Sequence, residues 1–256
     1  MLAEERMNEI LAIVNERGSV TVPQLMELLD ASESTIRRDL IKLHATQRLV
    51  KVHGGATALS REYVNSDLAY ASRYALCVEE KHEIARYAAT QVAPGDFVFI
   101  DAGTTTEYLA DYLTECSAVY VTNSLPLAGK LLNRGLRCLL PGGEVKATTM
   151  ALVGEETTGA LMRYHFTIGF FGTNGMDIED GFTTPEFSEA TVKQVALQHS
   201  QRRYMLADSS KFSKTSLVTF AAFDAATVIT DSVPNEYRAC DNIICTGKSG
   251  EEVAAS

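Results

Sequence analysis

The six residues Asp101-Ala102-Gly103-Thr104-Thr105-Thr106 bring together groups that hold an oxyanion. The glycine lets backbone come close, the hydroxyls donate, and the helical pattern EYLADYL that follows supplies the unpaired amides of a helix start. A phosphate is the economical ligand for such a turn, and simple capping of the helix by its own hydroxyls is the alternative left open. Similar polar stretches, two of them with glycine, recur at Thr122-Asn123, Pro141-Gly142-Gly143, Gly172-Thr173-Asn174-Gly175 and Asp208-Ser209-Ser210-Lys211. Together they point to one cleft. Lys146, Lys193 and Lys211 are its candidate counter-charges, and Glu186 is a candidate acceptor for sugar hydroxyls, although each lysine taken singly is as readable as a surface cation.

A second constellation lies near the N-terminus. From Ser34 to His53 there are five cations (Arg37, Arg38, Lys42, Arg48, Lys51) against one anion (Asp39), a local balance of 5 − 1 = +4 in a chain whose net charge is −10. An acidic protein as a whole repels a phosphate backbone, so the asymmetry is the informative quantity, and it points to DNA. With Ser32 as cap, the helix predicted from Glu33 to Thr46 turns Ile36, Leu40 and Leu43 inward and Ser34, Thr35, Arg37, Arg38 and Lys42 outward. Short hydroxyls near the helix start with long cations around them suit a major groove. Lys51 and His53 fall on the hairpin LVKV-HGG-ATAL, whose tip at Gly54-Gly55 could lie over a neighbouring groove.

These residues need elements to position them. Met7, Ile10, Leu11 and Val14 repeat at helical spacing before Gly18, and Pro23 opens a second helix with Leu25, Leu28 and Leu29 on its apolar face. Asp30-Ala31-Ser32 is then the tight connection of a helix-turn-helix. The polar run from Leu59 to Leu76 reads as a linker, and Ile84, Ala85, Ala88 and Val92 mark a helix ended by Pro94-Gly95-Asp96. Beyond it, apolar runs at 97–100, 119–122, 137–140, 166–171, 203–207 and 226–230 alternate with helical stretches, the pattern of a largely parallel sheet covered on both faces. A ligand of such a sheet sits at the carboxyl ends of its strands, where the glycine-hydroxyl turns fall.

The segment SVTVPQLMELLDASESTIRRDLIKL followed by VHGGA resembles the winged helix-turn-helix of the DeoR family of regulators, with Ser-x-Ser-Thr-Ile-Arg-Arg-Asp-Leu as its hallmark. Gln47 replaces the family's usual helix-ending glycine, and Lys51 stands where the wing commonly has an arginine that would pair bidentately. The larger half is similar to the family's sensor domain through EEKHEIA, DAGTTTEYLA, VTNS, PGGEVKATTMALVG, GTNGMDIEDGFTTPE and LADSSKF, so the likeness runs from about Ala3 to Asp231. It implies the fold of ribose-phosphate isomerases, glucosamine-phosphate deaminases and CoA transferases. It also implies that Asp101, Gly103, Thr104, Thr105 and Thr106 cradle a phosphate, with Asn123, Lys146, Asn174, Glu186, Lys193 and Lys211 around the ligand. The stretches from GGEVKATTMALVG to GFTTPEFSEATVK are similar to repressors of fructose-utilisation operons, which makes fructose 1-phosphate the leading effector.

The expected architecture is therefore a winged helix-turn-helix at 1–58, a linker at 59–76, an α/β sensor domain with a largely parallel sheet at 77–248, and a disordered tail at 249–256. Operator DNA, a phosphorylated sugar and further copies of the same chain, as dimer or tetramer, are the expected partners; release of DNA by the sugar is the family's usual mode. The competing reading is a sugar-phosphate isomerase or deaminase, for which Asp101, Glu186 and the lysines supply acid–base groups. His44, His53, His82, His165 and His199 form no evident catalytic or metal cluster, so no catalytic residue, metal or cofactor is expected. Cys77, Cys116, Cys138, Cys240 and Cys245 make no CxxC pair and stand in apolar company, predicting buried, reduced thiols. With neither a signal-peptide core nor a membrane-length apolar run in the sequence, a cytoplasmic protein is expected.

Overall fold

The computed structural model describes residues 3–17, 19–46, 48–52, 54–57, 62–63 and 70–247. The expected tail at 249–256 and the end-of-helix residues Gly18 and Gln47 lie outside them. The chain divides into two units, Met1–Glu62 and Tyr63–Ser256.

In the first unit, α1 (Ala3–Arg17), α2 (Val22–Leu29) and α3 (Glu33–Ala45) enclose a core of Ile10, Val14, Leu25, Ile36, Leu40 and Leu43. The Thr21 hydroxyl accepts from the Gln24 amide and the Gln24 side chain accepts from the Thr21 amide, a reciprocal cap that starts α2 with Pro23 in its first turn. Leu25 and Leu29 are buried, but Leu28, expected on the same face, is 47% exposed because a helix of eight residues presents only a narrow stripe to the core. The Asp39 carboxylate, 3% exposed, accepts from Arg6 at 2.7 Å and ties α3 to α1. Three short antiparallel strands, β1 (Ser19–Thr21), β2 (Val50–Val52) and β3 (Gly55–Thr57), pair in the order β1-β3-β2. The turn between β2 and β3 contains Gly54 at φ +86°, a backbone region that disfavours a side chain, and this hairpin is the wing.

The second unit opens with a short helix, Tyr70–Tyr74, and then α4 (Val78–Ala89). The sequence predicted α4 as far as Pro94; it stops at Ala89, where the Thr90 hydroxyl donates to the Tyr87 carbonyl and closes the last turn. The central sheet contains β4 (Phe97–Ile100), β5 (Val119–Thr122), β6 (Cys138–Leu139), β7 (Phe166–Gly172), β8 (Ser200–Leu206), β9 (Thr227–Thr230) and β10 (Ile243–Cys245). Its order is β10-β9-β8-β7-β4-β5-β6, and every pairing is parallel. The six expected strands are all present, and β10 is an addition.

Alternate residues of these strands enter two cores, as a sheet covered on both faces requires. Val98, Ile100, Tyr120, Ile168 and Ile229 pack with Ile84 of α4 and Leu127 and Leu131 of α5 (Leu125–Asn133). Phe99, Val121, Phe171, Met205 and Val228 pack with Ala190, Val192 and Ala196 of α6 (Phe187–Gln198). The chain lays down β4, β5 and β6 outward in one direction, returns to the centre at β7, and continues outward through β8, β9 and β10. The switch point is therefore between β4 and β7.

The cysteines depart from expectation: Cys116 is exposed and the other four are half-buried. Cys77, Cys138 and Cys245 sit at helix and strand ends, and Cys116 and Cys240 in connecting turns, which run out to the surface even where neighbouring residues are apolar. Among the described residues no helix is long and apolar enough to cross a membrane, and no group of three or more His, Cys, Asp or Glu is arranged to hold a metal ion.

Candidate functional site

Two surfaces carry the predicted residues, one in each unit. On the first, Ser34, Arg37, Arg38 and Lys42 are exposed along α3, Thr35 is half-buried, and Lys51 is exposed on the wing. Ser32 occupies the cap position, but its hydroxyl does not cap. It meets the hydroxyls of Ser34 (3.1 Å) and Thr35 (2.9 Å), while its carbonyl accepts from the Thr35 and Ile36 amides. The three hydroxyls so form a linked polar patch at the start of the helix. Arg37 donates to Glu33 one turn back, at 2.8 Å from Nε and 2.7 Å from Nη2, which fixes the plane of its guanidinium. His53 lies outside the described residues.

The second surface is a cavity of about 270 Å³ at the carboxyl ends of the strands, at the β4/β7 switch point. Gly103, Thr104, Thr105, Asn174, Lys193 and Lys211, all predicted, line it. A Cβ on Gly103 would stand 3.0 Å from the Thr106 hydroxyl, so glycine is what lets this turn close. Thr104–Glu107 is a single helical turn, and by position its first amides have no acceptor within the helix and are open to a ligand.

Asp101 lies beneath the cavity floor, 1% exposed. Its carboxylate accepts from the Gly172 amide at 3.1 Å and from Lys193 Nζ, and Lys193 also donates to the Gly172 carbonyl. This network staples β4 to β7 across the switch point. Burial pushes the Asp101 carboxyl up, against the pull of Lys193. Asp101 thus holds the floor and the lysine, and reaches the ligand only through them.

Thr106 and Asn123 are likewise structural. The Thr106 hydroxyl donates to the carbonyls of Asp101 and Gly103, and Asn123 accepts from the Ala102 amide at 2.8 Å while donating to the Leu152 carbonyl. Lys146 and Glu186 are not among the lining residues. Lys146 lies 3.0 Å from Glu189 and 3.5 Å from Glu186, and Glu186 stands exposed at the start of α6.

The cavity wall also contains Asp208, from a turn already assigned to the cleft, and groups the sequence reading did not select: Arg73, Lys81, Thr149, Glu189 and Lys214. Arg73 comes from the segment read as linker, and Lys81 from the quoted EEKHEIA motif, whose helical spacing does not tell a lysine that reaches a cavity from one that reaches water. Lys81 is 3% exposed, and burial above all lowers its pKa, with Asp208 pulling the other way. On Glu189 burial acts upward, but Lys193, the Thr149 hydroxyl and Lys146 outweigh it and hold the carboxyl below its ordinary value. Five cations (Arg73, Lys81, Lys193, Lys211, Lys214) face two carboxylates (Glu189, Asp208) around the cavity. A net cationic pocket in a protein of charge −10 has the electrostatics that attract an anion.

The chain matches a DeoR-like helix-turn-helix domain over residues 6–62 and the DeoR C terminal sensor domain over residues 76–232. An "Uncharacterized HTH-type transcriptional regulator FruR" of Bacillus subtilis (strain 168) is 39% identical, over 90% of this chain and 91% of that protein. A "Lactose phosphotransferase system repressor" of Staphylococcus epidermidis is 36% identical over 89% of this chain and 92% of its own, and one of Streptococcus mutans 34% identical over 90% and 93%. Among solved structures, the full-length sorbitol operon regulator SorC of Klebsiella pneumoniae aligns with a TM-score of 0.39 and 11% identity, covering 80% of this chain and 89% of that one. A ribose 5-phosphate isomerase of Methanocaldococcus jannaschii aligns with a TM-score of 0.37 and 14% identity over 52% and 53%.

Proposed function

The chain belongs to the DeoR family of transcriptional regulators, and from that premise we propose that it represses a sugar-utilisation operon and leaves its operator when a phosphorylated sugar enters the switch-point cavity. The observation that carries the sensor half is the net cationic cavity above the Gly103–Thr105 turn: first-turn amides and threonine hydroxyls for the phosphate, lysines around it, and Asn174 for sugar hydroxyls. Fructose 1-phosphate is the leading effector. The loops that resemble fructose-operon repressors support it.

On the DNA side, Ser34, Thr35, Arg37 and Arg38 read base edges from α3, and Lys42, Lys51 and His53 contact phosphates. The protein acts as a homo-oligomer in the cytoplasm, where paired reading heads hold two half-sites. A binding role is favoured over catalysis because the buried carboxylates are occupied: Asp101 by Lys193 and Gly172, Glu189 by Lys146 and Thr149.

Replacing Arg37 and Arg38 together by alanine tests the assignment. Specific binding to the control region beside the protein's own gene is expected to disappear in mobility-shift assays, while fructose 1-phosphate still raises the thermal midpoint. Specific DNA affinity that survives the double substitution would refute the reading helix.

A further inference from the structure

Two routes lead from the cavity to the same few residues, those that open the second unit. Arg73 lines the cavity, and its main-chain carbonyl accepts from Lys81 Nζ, another lining group. The second route starts at the phosphate turn. Glu107 ends the single turn Thr104–Glu107 that Gly103 begins, and its carboxylate, 3% exposed, meets Lys130 of α5 at 2.9 Å. Lys130 also donates to the Tyr74 hydroxyl at 2.9 Å. Tyr74 in turn stacks on Tyr108, the residue after Glu107, with centroids 4.9 Å apart and planes 17° from parallel, and its carbonyl accepts from the Tyr108 hydroxyl.

The second route is stiff. Burial raises the Glu107 carboxyl above its ordinary value against the pull of Lys130; for Lys130 burial works downward, and the Tyr74 hydroxyl and Glu107 outweigh it. Separating the pair would leave the buried Glu107 carboxylate without a partner, although Lys130 is 30% exposed, so a displacement of the phosphate turn is passed on to Lys130 and, through its bond to the Tyr74 hydroxyl, to Tyr74. None of Tyr74, Glu107 and Lys130 lines the cavity. Tyr70–Tyr74 begins eight residues after the last residue of the first unit, Glu62.

We infer that Glu107, Lys130 and Tyr74 are positioning residues that carry occupancy of the cavity to the segment leading into the DNA-reading unit. The inference rests on the proposed function and adds the route by which the two sites communicate. Occupancy of the phosphate turn shifts Glu107, the pair shifts Lys130, and Tyr74 moves its helix. The free energy coupling the two sites is spent in changing this three-residue contact.

The experiment uses the full chain and two substitutions, Tyr74→Phe, which keeps the ring stack and removes the hydroxyl, and Lys130→Met. Fructose 1-phosphate is titrated by calorimetry, and its effect on affinity for the gene-adjacent control region is measured in parallel. Effector affinity is expected to stay within about threefold of the parent, while the effector-induced loss of DNA affinity shrinks by about tenfold or more. Parent-like release, or loss of effector binding in proportion to loss of release, would overturn the inference. A ligand-free readout separates it from the functional reading. Amide exchange in Lys130→Met should quicken in both 71–77 and 104–111, and quickening in one segment alone overturns the relay. If the parent itself ignores the effector while both segments quicken, the choice of effector fails and the relay stands.

Discussion

Thr105 is 8% exposed on the cavity wall, in the turn whose amides and hydroxyls face the ligand. A carboxylate there meets an incoming phosphate at close range, where like charges repel by roughly 1 to 4 kcal/mol. Thr105→Glu should therefore weaken fructose 1-phosphate binding by about tenfold or more in calorimetry and leave a repressor that holds its DNA at effector concentrations that free the parent. Glu189 gives a prediction with a definite sign. Its folded-state carboxyl lies below the ordinary value of 4.5, so its charged form stabilises the fold above that pH, and the contribution is lost as pH falls through the lower folded-state value. Glu189→Gln should lower the thermal midpoint at pH 7, and the gap from the parent should close as pH falls below the ordinary value of 4.5 and through the lower folded-state value. A gap independent of pH would mean that the carboxylate's charge is not what Lys146, Lys193 and Thr149 hold. At this scale the glycine-hydroxyl turns were readable, because backbone that must approach a ligand demands particular residue types. Glu189, Lys81 and Arg73 were not, since a long side chain reaching a cavity from a helix has the same local spacing as one reaching water. The Asp101–Lys193 pair spans 92 positions, and the sequence offered both residues without the information that one neutralises the other.

The helix α3 joins reading and packing in one element: Ile36, Leu40 and Leu43 are buried beneath the exposed Arg37, Arg38 and Lys42. Leu40→Ala leaves a void in a core built from about a dozen side chains, at a cost of roughly 2 to 5 kcal/mol. Because that core is separate from the two that flank the central sheet, the loss should appear as weakened DNA binding and an earlier unfolding transition of the N-terminal unit. Fructose 1-phosphate affinity should be unchanged; a parallel fall in effector affinity would contradict separate cores. Helix periodicity in the first unit and the six apolar runs in the second located nearly every element that positions a site. What escaped has physical reasons. Strand β10 is a half-buried apolar run of only three residues, Ile243-Ile244-Cys245, β8 begins at Ser200 with polar side chains that only its neighbours make strand-like, and α4 ends on a hydroxyl–carbonyl bond, not on the proline that follows.

For the whole molecule, the net charge of −10 opposes DNA while the 34–53 segment carries +4, so attraction is local and strongly screened. If one reading head neutralises about four phosphates, the logarithm of affinity should fall with the logarithm of salt at a slope of about −3.6, and about twice that for a pair acting together. A slope near zero would remove the phosphate contacts assigned to Lys42 and Lys51. Occupancy of the cationic cavity and occupancy of the operator are proposed to oppose each other energetically. Linkage makes that claim reciprocal: the factor by which the sugar phosphate weakens DNA binding must equal the factor by which DNA weakens sugar-phosphate binding. The most direct test measures both on the full chain with the gene-adjacent control region and fructose 1-phosphate at one salt concentration. Two equal factors, each about 5 to 150, are predicted; a chain that binds both ligands with neither altering the other would contradict the account.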